Sequence, residues 1–427
     1  VRQRELAADD IGFLYSTLAG FDTAAILGDG TDRDFFSHWI QQTRASDEVG
    51  LIEAEQRTDF LRSRFSTLAS RTEVFNFGVR LAHFGRYRDS INFFKDFQRS
   101  FPSREVFNNI GYAHLQLARQ QMPRDIAQRY WLPMELDHST RLVAQTRSLQ
   151  GTGVLPDNAR RELTKAVEFL ELAVQADVLH LPSRLNLVAA HMYLGEFHKA
   201  RAVIEEARKI APESADVLGL RALVLYEQER EIDMFPVATT ILAQLAQKPD
   251  SPLHVMFNLA RLYEGRGRIE QAERFWNELA AQGAGMPPSW RAAVCKSVPE
   301  SSKCKSGNDH ATADRPRVDA AVAPGDSTDE GRTRKRLEDF EHTVANFGAI
   351  DADIFVGKRG SVLALDQSVE VVVSTAHGIE HVDQLENCCG QPVSKITTSI
   401  GEVWTFGNDW AALVYGDEVR ELWIAAD

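Results

Sequence analysis

The stretch LPSRLNLVAAHMYLGEFHKARAVIEEARKIAPE, residues 181–213, decides the fold. It reads as two helices with Gly195 at the turn between them and Pro212 closing the second. Ala200, Ile204 and Ala207 follow helical spacing, so they form one apolar stripe facing the first helix. Only side chains as small as alanine let two helix backbones approach that closely.

Working outward, the same punctuation recurs. Thr72 to Pro102 carries it in Gly78, Gly85, Phe94 and Pro102, and Leu253 to Gln282 in Ala260, Tyr263, Gly267, Ala272 and Trp276. Ser214 to Pro249 is a degenerate copy with Ala222 and Tyr226 in its first helix. Another copy is split. Arg104 to Arg119 supplies Ile110, Gly111 and Tyr112, and Arg161 to Gln175 supplies Ala166, Leu170 and Ala173. Between its halves lies an insertion, 120–158, containing Tyr130-Trp131-Leu132-Pro133. This is the punctuation of tetratricopeptide repeats, about five of them, and stacking needs roughly three.

The expected fold is therefore mainly α: a right-handed tetratricopeptide-repeat superhelix over 71–290, with a small C-terminal α+β domain. First helices line the concave face of such a stack. Arg80, Asn109, Arg184, Asn258 and Arg261 are accordingly expected in a groove that binds protein or peptide partners.

Composition narrows the partners. Sixty-one acidic residues against 48 basic ones give a net charge of -13 over 427 residues, with no Lys/Arg block. That balance argues against nucleic acid. No run approaches the roughly 20 apolar residues that span a bilayer. The chain begins at Val1, inside what reads as a helix, and is expected to be the C-terminal part of a longer protein. Four cysteines are too few for a disulfide framework. Cys295 and Cys304 could close a small loop, but free thiols are the expectation.

Residues 291–334 are rich in Ser, Pro, Gly, Asp and Lys and read as a flexible linker. The α+β domain, 335–427, is expected to open with a helix over Leu337–Phe347. Ser361–Val373 and Val403–Ile424 then read as strands, with a hairpin turn at Tyr415-Gly416-Asp417.

The first residues have a different character. Arg4-Glu5-Leu6-Ala7-Ala8-Asp9-Asp10-Ile11-Gly12 is followed by Leu18-Ala19-Gly20-Phe21-Asp22. This resembles the stretch after the active-site helix in HtpX- and BepA-like zinc metallopeptidases, the resemblance covering about residues 2–70. It implies that 1–70 are the closing helices of a truncated metallopeptidase domain. Glu5 would be the third ligand of a Zn2+ ion and Asp9 the residue orienting a ligand histidine. As i and i+4, the two carboxylates project from one helix face. No HExxH occurs in the sequence, so this chain alone has no catalytic set. The family's Ser/Thr-His-Pro element also has no counterpart in Arg44–Arg57. The parent would be a zinc metalloendopeptidase whose repeats hold substrates or partners; envelope quality control, in a periplasmic or membrane-associated place, is the setting that resemblance alone suggests. The alternative is a non-catalytic repeat adaptor in which polar Arg2, Arg4, Glu5, Asp9 and Asp10 merely face solvent on a capping helix.

Gly378 to Pro392, Gly401-Glu402-Val403-Trp404-Thr405-Phe406-Gly407 and Val419 to Ile424 are similar to the SmpA/OmlA-like domains of bacterial envelope proteins. That likeness implies partner binding, with Trp404 and Trp410 as core or interface aromatics. His377-Gly378-Ile379-Glu380-His381 matches the HxxEH pattern of inverted zincins. It follows a strand and contains a glycine, so ordinary helix-start residues are the better account.

Overall fold

The computed structural model describes residues 71–138, 156–298 and 322–426, together with Cys304, apart from short gaps at 229–232, 283–285, 287, 348–350, 358, 376–377, 399–400 and 407–408. Glu5, Asp9 and the remainder of 1–70 lie outside the described residues, as does His377.

Among the described residues, five antiparallel helix pairs stack in sequence order. They are α1 (71–83) with α2 (Tyr87–Ser100), then α3 (Arg104–Gln121) with α5 (Asp157–Ala176), the short helix α4 (Arg124–Ala127) lying between those two partners. Next come α6 (Leu181–Leu194) with α7 (Phe197–Ile210), and α8 (Ala215–Gln228) with α9 (Phe235–Ala246). Last are α10 (Leu253–Gly265) and α11 (Ile269–Ala281), against which α12 (Pro288–Ser297) packs. The chain is thus a mainly α protein of the tetratricopeptide-repeat type, with a C-terminal antiparallel sheet.

Local chemistry sets the ends of these helices. Ser103 caps α3 by accepting the Val106 N–H, which satisfies one of the donors a helix start leaves open. Pro182 sits in the first turn of α6, where its missing N–H costs nothing. Gly195 ends α6 at φ 77°, a left-handed conformation that favours glycine. In the split unit α3 and α5 touch almost backbone to backbone. A Cβ on Gly111 would meet Leu170 Cγ at 2.5 Å and the Ala166 carbonyl oxygen at 3.2 Å. The predicted stripe of Ala200, Ile204 and Ala207 is fully buried against its neighbours.

The C-terminal part is one eight-stranded sheet: β1 (Glu341–Asn346), β2 (Asp351–Gly357), β3 (Gly360–Leu365), β4 (Ser368–Ser374), β5 (Ser394–Thr398), β6 (Gly401–Thr405), β7 (Trp410–Tyr415) and β8 (Glu418–Ala425). The order β1-β2-β3-β4-β8-β7-β6-β5 describes two four-stranded meanders joined by antiparallel pairing of β4 with β8. Each meander carries a register shift in the third of its strands, after Leu363 and after Leu413. Each is also preceded by a helix, α13 (Gly331–Leu337) or α14 (Val382–Cys389).

Side chains alternate across these strands as the period of two requires. Val371, Val373 and Trp423 share a core with Phe77, Phe93 and Phe94 of the first repeat. Val372 instead faces Leu337 of α13, and Leu422 and Ile424 pack with Leu385 and Cys389 of α14. The sheet therefore buries one face on helices α1 and α2 and covers the other with its own helices.

Polar bonds stitch this joint. Arg80 pairs with Glu73 at 2.9 Å and with Glu421 of β8 at 3.1 Å, its guanidinium 5.6 Å from the Trp423 ring centroid. The Ser361 hydroxyl donates to Glu73, and Arg86 pairs with Glu370.

Three expectations are corrected here. The helix placed at Leu337–Phe347 ends at Leu337, and 341–346 is strand β1, because β2 offers it a full antiparallel partner. Helix α12 enters the stretch expected to be linker, and α13 begins within it. The cysteines are paired: Cys295 with Cys304, and Cys388 with its neighbour Cys389. His381 is the N-cap residue of α14, in a capping box with Gln384, so its ring opens a helix as expected.

Candidate functional site: an asparagine ladder along the repeat groove

Asn109, Asn186 and Asn258 are each the sixth residue of the first helix in their repeat, and all three are at least 99% buried. What buries them is an extended segment of the insertion, residues 131–137. Asn258 Oδ1 accepts the Trp131 backbone N–H at 2.8 Å, and Asn258 Nδ2 donates to the Trp131 carbonyl at 2.9 Å. Asn186 holds Glu135 in the same way at 2.9 and 2.7 Å, and Asn109 holds Asp137 at 2.7 and 2.8 Å.

The geometry follows from the extended chain. A residue's N–H and C=O point to the same side of a strand, and residues two apart share that side. A carboxamide carries an acceptor and a donor at matching separation, so one asparagine satisfies both groups of one residue. Successive rungs should then step by two residues, and Asn109 and Asn186 do so at Asp137 and Glu135. The next rung would fall on Pro133, which has no N–H, and the sixth residue of α8 is Leu220. Asn258 resumes the ladder at Trp131. The repeat without an asparagine matches the residue without a donor.

Side chains are held at the two ends of the segment. Trp131 stacks on Trp290 at 5.2 Å with 7° between the planes and meets Phe257 edge-on at 6.0 Å. The Asp137 carboxylate accepts from Asn108 Nδ2 at 2.6 Å and lies 3.2 Å from His180 Nε2. Asn108 Nδ2 also lies 3.1 Å from the Glu135 carbonyl, and Asn186 Nδ2 lies 2.9 Å from Asn108 Oδ1, so the rungs are linked. Leu132 is buried among the repeat side chains. Beyond Asp137, His138 turns its Nε2 to within 2.8 Å of His83 Nε2 on α1.

A cavity of about 640 Å³ lies along the segment, between it, the concave helices and the edge strand β5. Tyr87, Tyr112, Arg119 and Trp290 line it from the helices, and Ile396–Thr398 from β5. Glu135 opens into it. Glu135 is exposed to solvent through the cavity, yet partial desolvation beside the groove raises its pKa to about 7; the Asp216 and Asp137 carboxylates add to the effect and His180 opposes it.

Of the residues named from sequence, Asn109 and Asn258 thus meet the segment's main chain. Arg80 faces the sheet, as described above. Arg184 donates to the Val178 carbonyl just before its own helix. Arg261 pairs with Glu264 and lies over the Phe257 and Trp276 rings, Phe257 being the ring that meets Trp131 edge-on. Asn186 and Asn108 were not named. The signal for Asn186 was its place, sixth in its helix like the two that were.

No helix among the described residues is long and apolar enough to cross a membrane, and no group of three or more His, Cys, Asp or Glu among them could hold a metal ion. No family model and no curated protein matches the chain. Among solved structures it is similar to a tetratricopeptide-repeat protein of Thermus thermophilus, at 17% identity and TM-score 0.39, covering 54% of this chain and 99% of that one. It is similar also to a tetratricopeptide-repeat protein of Parabacteroides merdae, at 15% identity and TM-score 0.32, covering 56% and 77%. The helix pairing and spacing above carry the repeat assignment.

Proposed function

We propose that this chain is a protein-binding scaffold whose repeat groove takes a stretch of another polypeptide in extended form. The asparagine ladder is the observation that carries it. Three repeats spend the same buried position on a side chain suited to main-chain recognition, and a main chain is what every polypeptide offers. Each two-bond clamp is worth on the order of 1–3 kcal/mol where water is excluded.

The test uses the full chain carrying Glu135→Pro and Asp137→Pro. These remove two donors from the resident segment, suit an extended backbone, and leave every asparagine in place. A synthetic peptide with the sequence of residues 129–138 should bind this variant. The same peptide methylated on the nitrogen at the Glu135 position should bind at least tenfold more weakly. Equal binding of both would sink main-chain recognition.

A second reading stands on residues 4–22 alone: that the parent protein is a zinc metalloendopeptidase of envelope quality control, with Glu5 as a metal ligand, Asp9 orienting a histidine, and the repeats presenting substrates. The SmpA/OmlA-like stretch of the sheet would then add a partner-binding surface. The run of matches through Gly12 and Ala19-Gly20-Phe21-Asp22 supports it. The zinc content of the full-length protein checks it. Glu5→Ala should abolish zinc binding with folding intact, and unchanged zinc would leave the non-catalytic adaptor.

A further inference from the structure

We propose that residues 131–138 are a resident competitor for the groove, displaced by an extended segment of another protein that carries an aromatic side chain and, six residues later, an aspartate. The inference rests on the scaffold reading and adds to it the form of the partner and the gate it must pass.

The clamps at Asn109, Asn186 and Asn258 touch only main-chain atoms. They would hold any extended segment with N–H groups at those three places. Side-chain selection falls to the two ends. The corner made by Trp290 and Phe257, whose rings meet edge to face at 5.1 Å, fits a flat aromatic stacked on Trp290, and Asn108 with His180 fits a carboxylate on a short stem. Those sites are filled by Trp131 and Asp137, six residues apart, which sets the spacing an incoming segment must match.

The resident is not the best possible occupant. Glu135 opens toward the cavity and forms no ion pair among the described residues; partial desolvation first, then the Asp216 and Asp137 carboxylates, disfavour its charge, with His180 opposing them. An incoming segment with an uncharged residue at that place escapes the repulsion. The cavity beside the resident gives such a segment somewhere to lie before exchange is complete. Being tethered, the resident acts at an effective concentration of order millimolar, so a partner of ordinary affinity enters only when the resident loosens.

The experiment pans a random dodecapeptide display library on the full chain with Glu135→Pro and Asp137→Pro, then measures the enriched peptides against native chain. The expected peptides share an aromatic residue and an Asp six positions later. They should bind the double variant at least tenfold more tightly than the native chain, and adding Asn186→Ala should remove most of that affinity. Glu135→Gln keeps the main-chain donor and relieves the repulsion. At pH 8 it should weaken binding of the same peptides to an otherwise native chain several-fold, a test that holds even if the proline variant does not fold. Equal affinity for native, proline and glutamine chains would overturn the gate. Asparagine-dependent peptides without the aromatic–Asp spacing would overturn the partner's form and leave the scaffold reading standing. Enrichment of no peptide on a folded double variant would remove both.

Discussion

His83 and His138 lie with their Nε2 atoms 2.8 Å apart, one ring donating and the other accepting. His83 belongs to the first repeat and packs against Trp423 of the sheet; His138 ends the extended segment. Their contact therefore ties the groove's occupant to both parts of the molecule. Burial pushes His83 down to about 4 and His138 well below its ordinary value, where the neighbouring His83 adds to the effect. Both rings are neutral when the segment is seated.

The sign of the pH effect follows. A histidine whose pKa is depressed by folding contributes fully above its unfolded value, near 6.5, and loses that contribution as pH falls toward the folded value. In a Glu135→Gln chain, which lacks the opposing gain from protonating Glu135 as pH falls below about 7, seating of residues 131–138 should weaken between about pH 6.5 and 4, by up to roughly 3 kcal/mol for a shift the size of that on His83. Amide exchange at the N–H groups of positions 135 and 137 in that chain reads this directly. Protection that is the same at pH 7 and pH 5 would remove the pair from the account. His138→Gln should flatten the dependence.

Asn186→Ala removes the acceptor for the Glu135 N–H, but not the last donor to its carbonyl, which Asn108 still reaches at 3.1 Å. It also takes the donor from the buried Asn108 Oδ1, 2.9 Å away, so the cost should be that of one orphaned donor and one orphaned acceptor, about 1–3 kcal/mol each. Asn258→Ala likewise strands both groups of Trp131 and should cost a similar amount. Denaturant unfolding of the two variants checks this, and a loss on Asn186→Ala under about 1 kcal/mol would contradict the linkage of the rungs.

Much of this was legible from sequence, and the limit was physical. Gly195, Pro212 and the Ala200–Ala207 stripe are local signals, read within one helix pair. So was the split of the second repeat, because Gly111 and Ala166 each mark a close approach. The ladder is not local. Its bonds join residues 28, 51 and 127 positions apart, and they end on main-chain atoms that carry no residue identity. Trp131 and Pro133 could be seen inside an insertion, but not what they lay against. Arg184 was named where Asn186 acts, since charge draws attention on a helix face and a carboxamide does not. Strand β1 failed for a related reason. The run from Glu341 to Asn346 has little strand character of its own and takes its form from β2.

Arg80 offers a test of the joint between repeats and sheet. It is 5% exposed, and its guanidinium neutralises Glu73 and Glu421 together. That environment holds Glu73 below the ordinary carboxylate range despite burial, which by itself raises it; the Arg80 charge and hydrogen bonds from Asn76, Arg80 and Ser361 outweigh the burial. Arg80→Ala leaves two carboxylates without their cation and should cost about 3–5 kcal/mol. Arg80→Lys, with one compact charge, should recover only part of it. A loss under about 1 kcal/mol for the alanine variant in thermal or denaturant unfolding would mean that the apolar core between helices and sheet suffices alone.

Gly111 and Leu170 test the packing that lets an insertion sit inside a repeat. Helices α3 and α5 are separated by 35 residues of chain, so loop length does nothing to hold them together and side-chain fit must. A Cβ at position 111 would overlap Leu170 Cγ, and Gly111→Ala should cost about 1–3 kcal/mol from overpacking. Leu170→Ala alone should cost about 2–5 kcal/mol, since the side chain is fully buried. Combined, the new methyl enters the space the leucine vacates, so the double variant should be more stable than the two losses predict by roughly 1 kcal/mol or more. Strict additivity, within about 0.5 kcal/mol, would mean that the helices shift apart rather than clash, and that the close approach at Gly111 is not what fixes the second repeat.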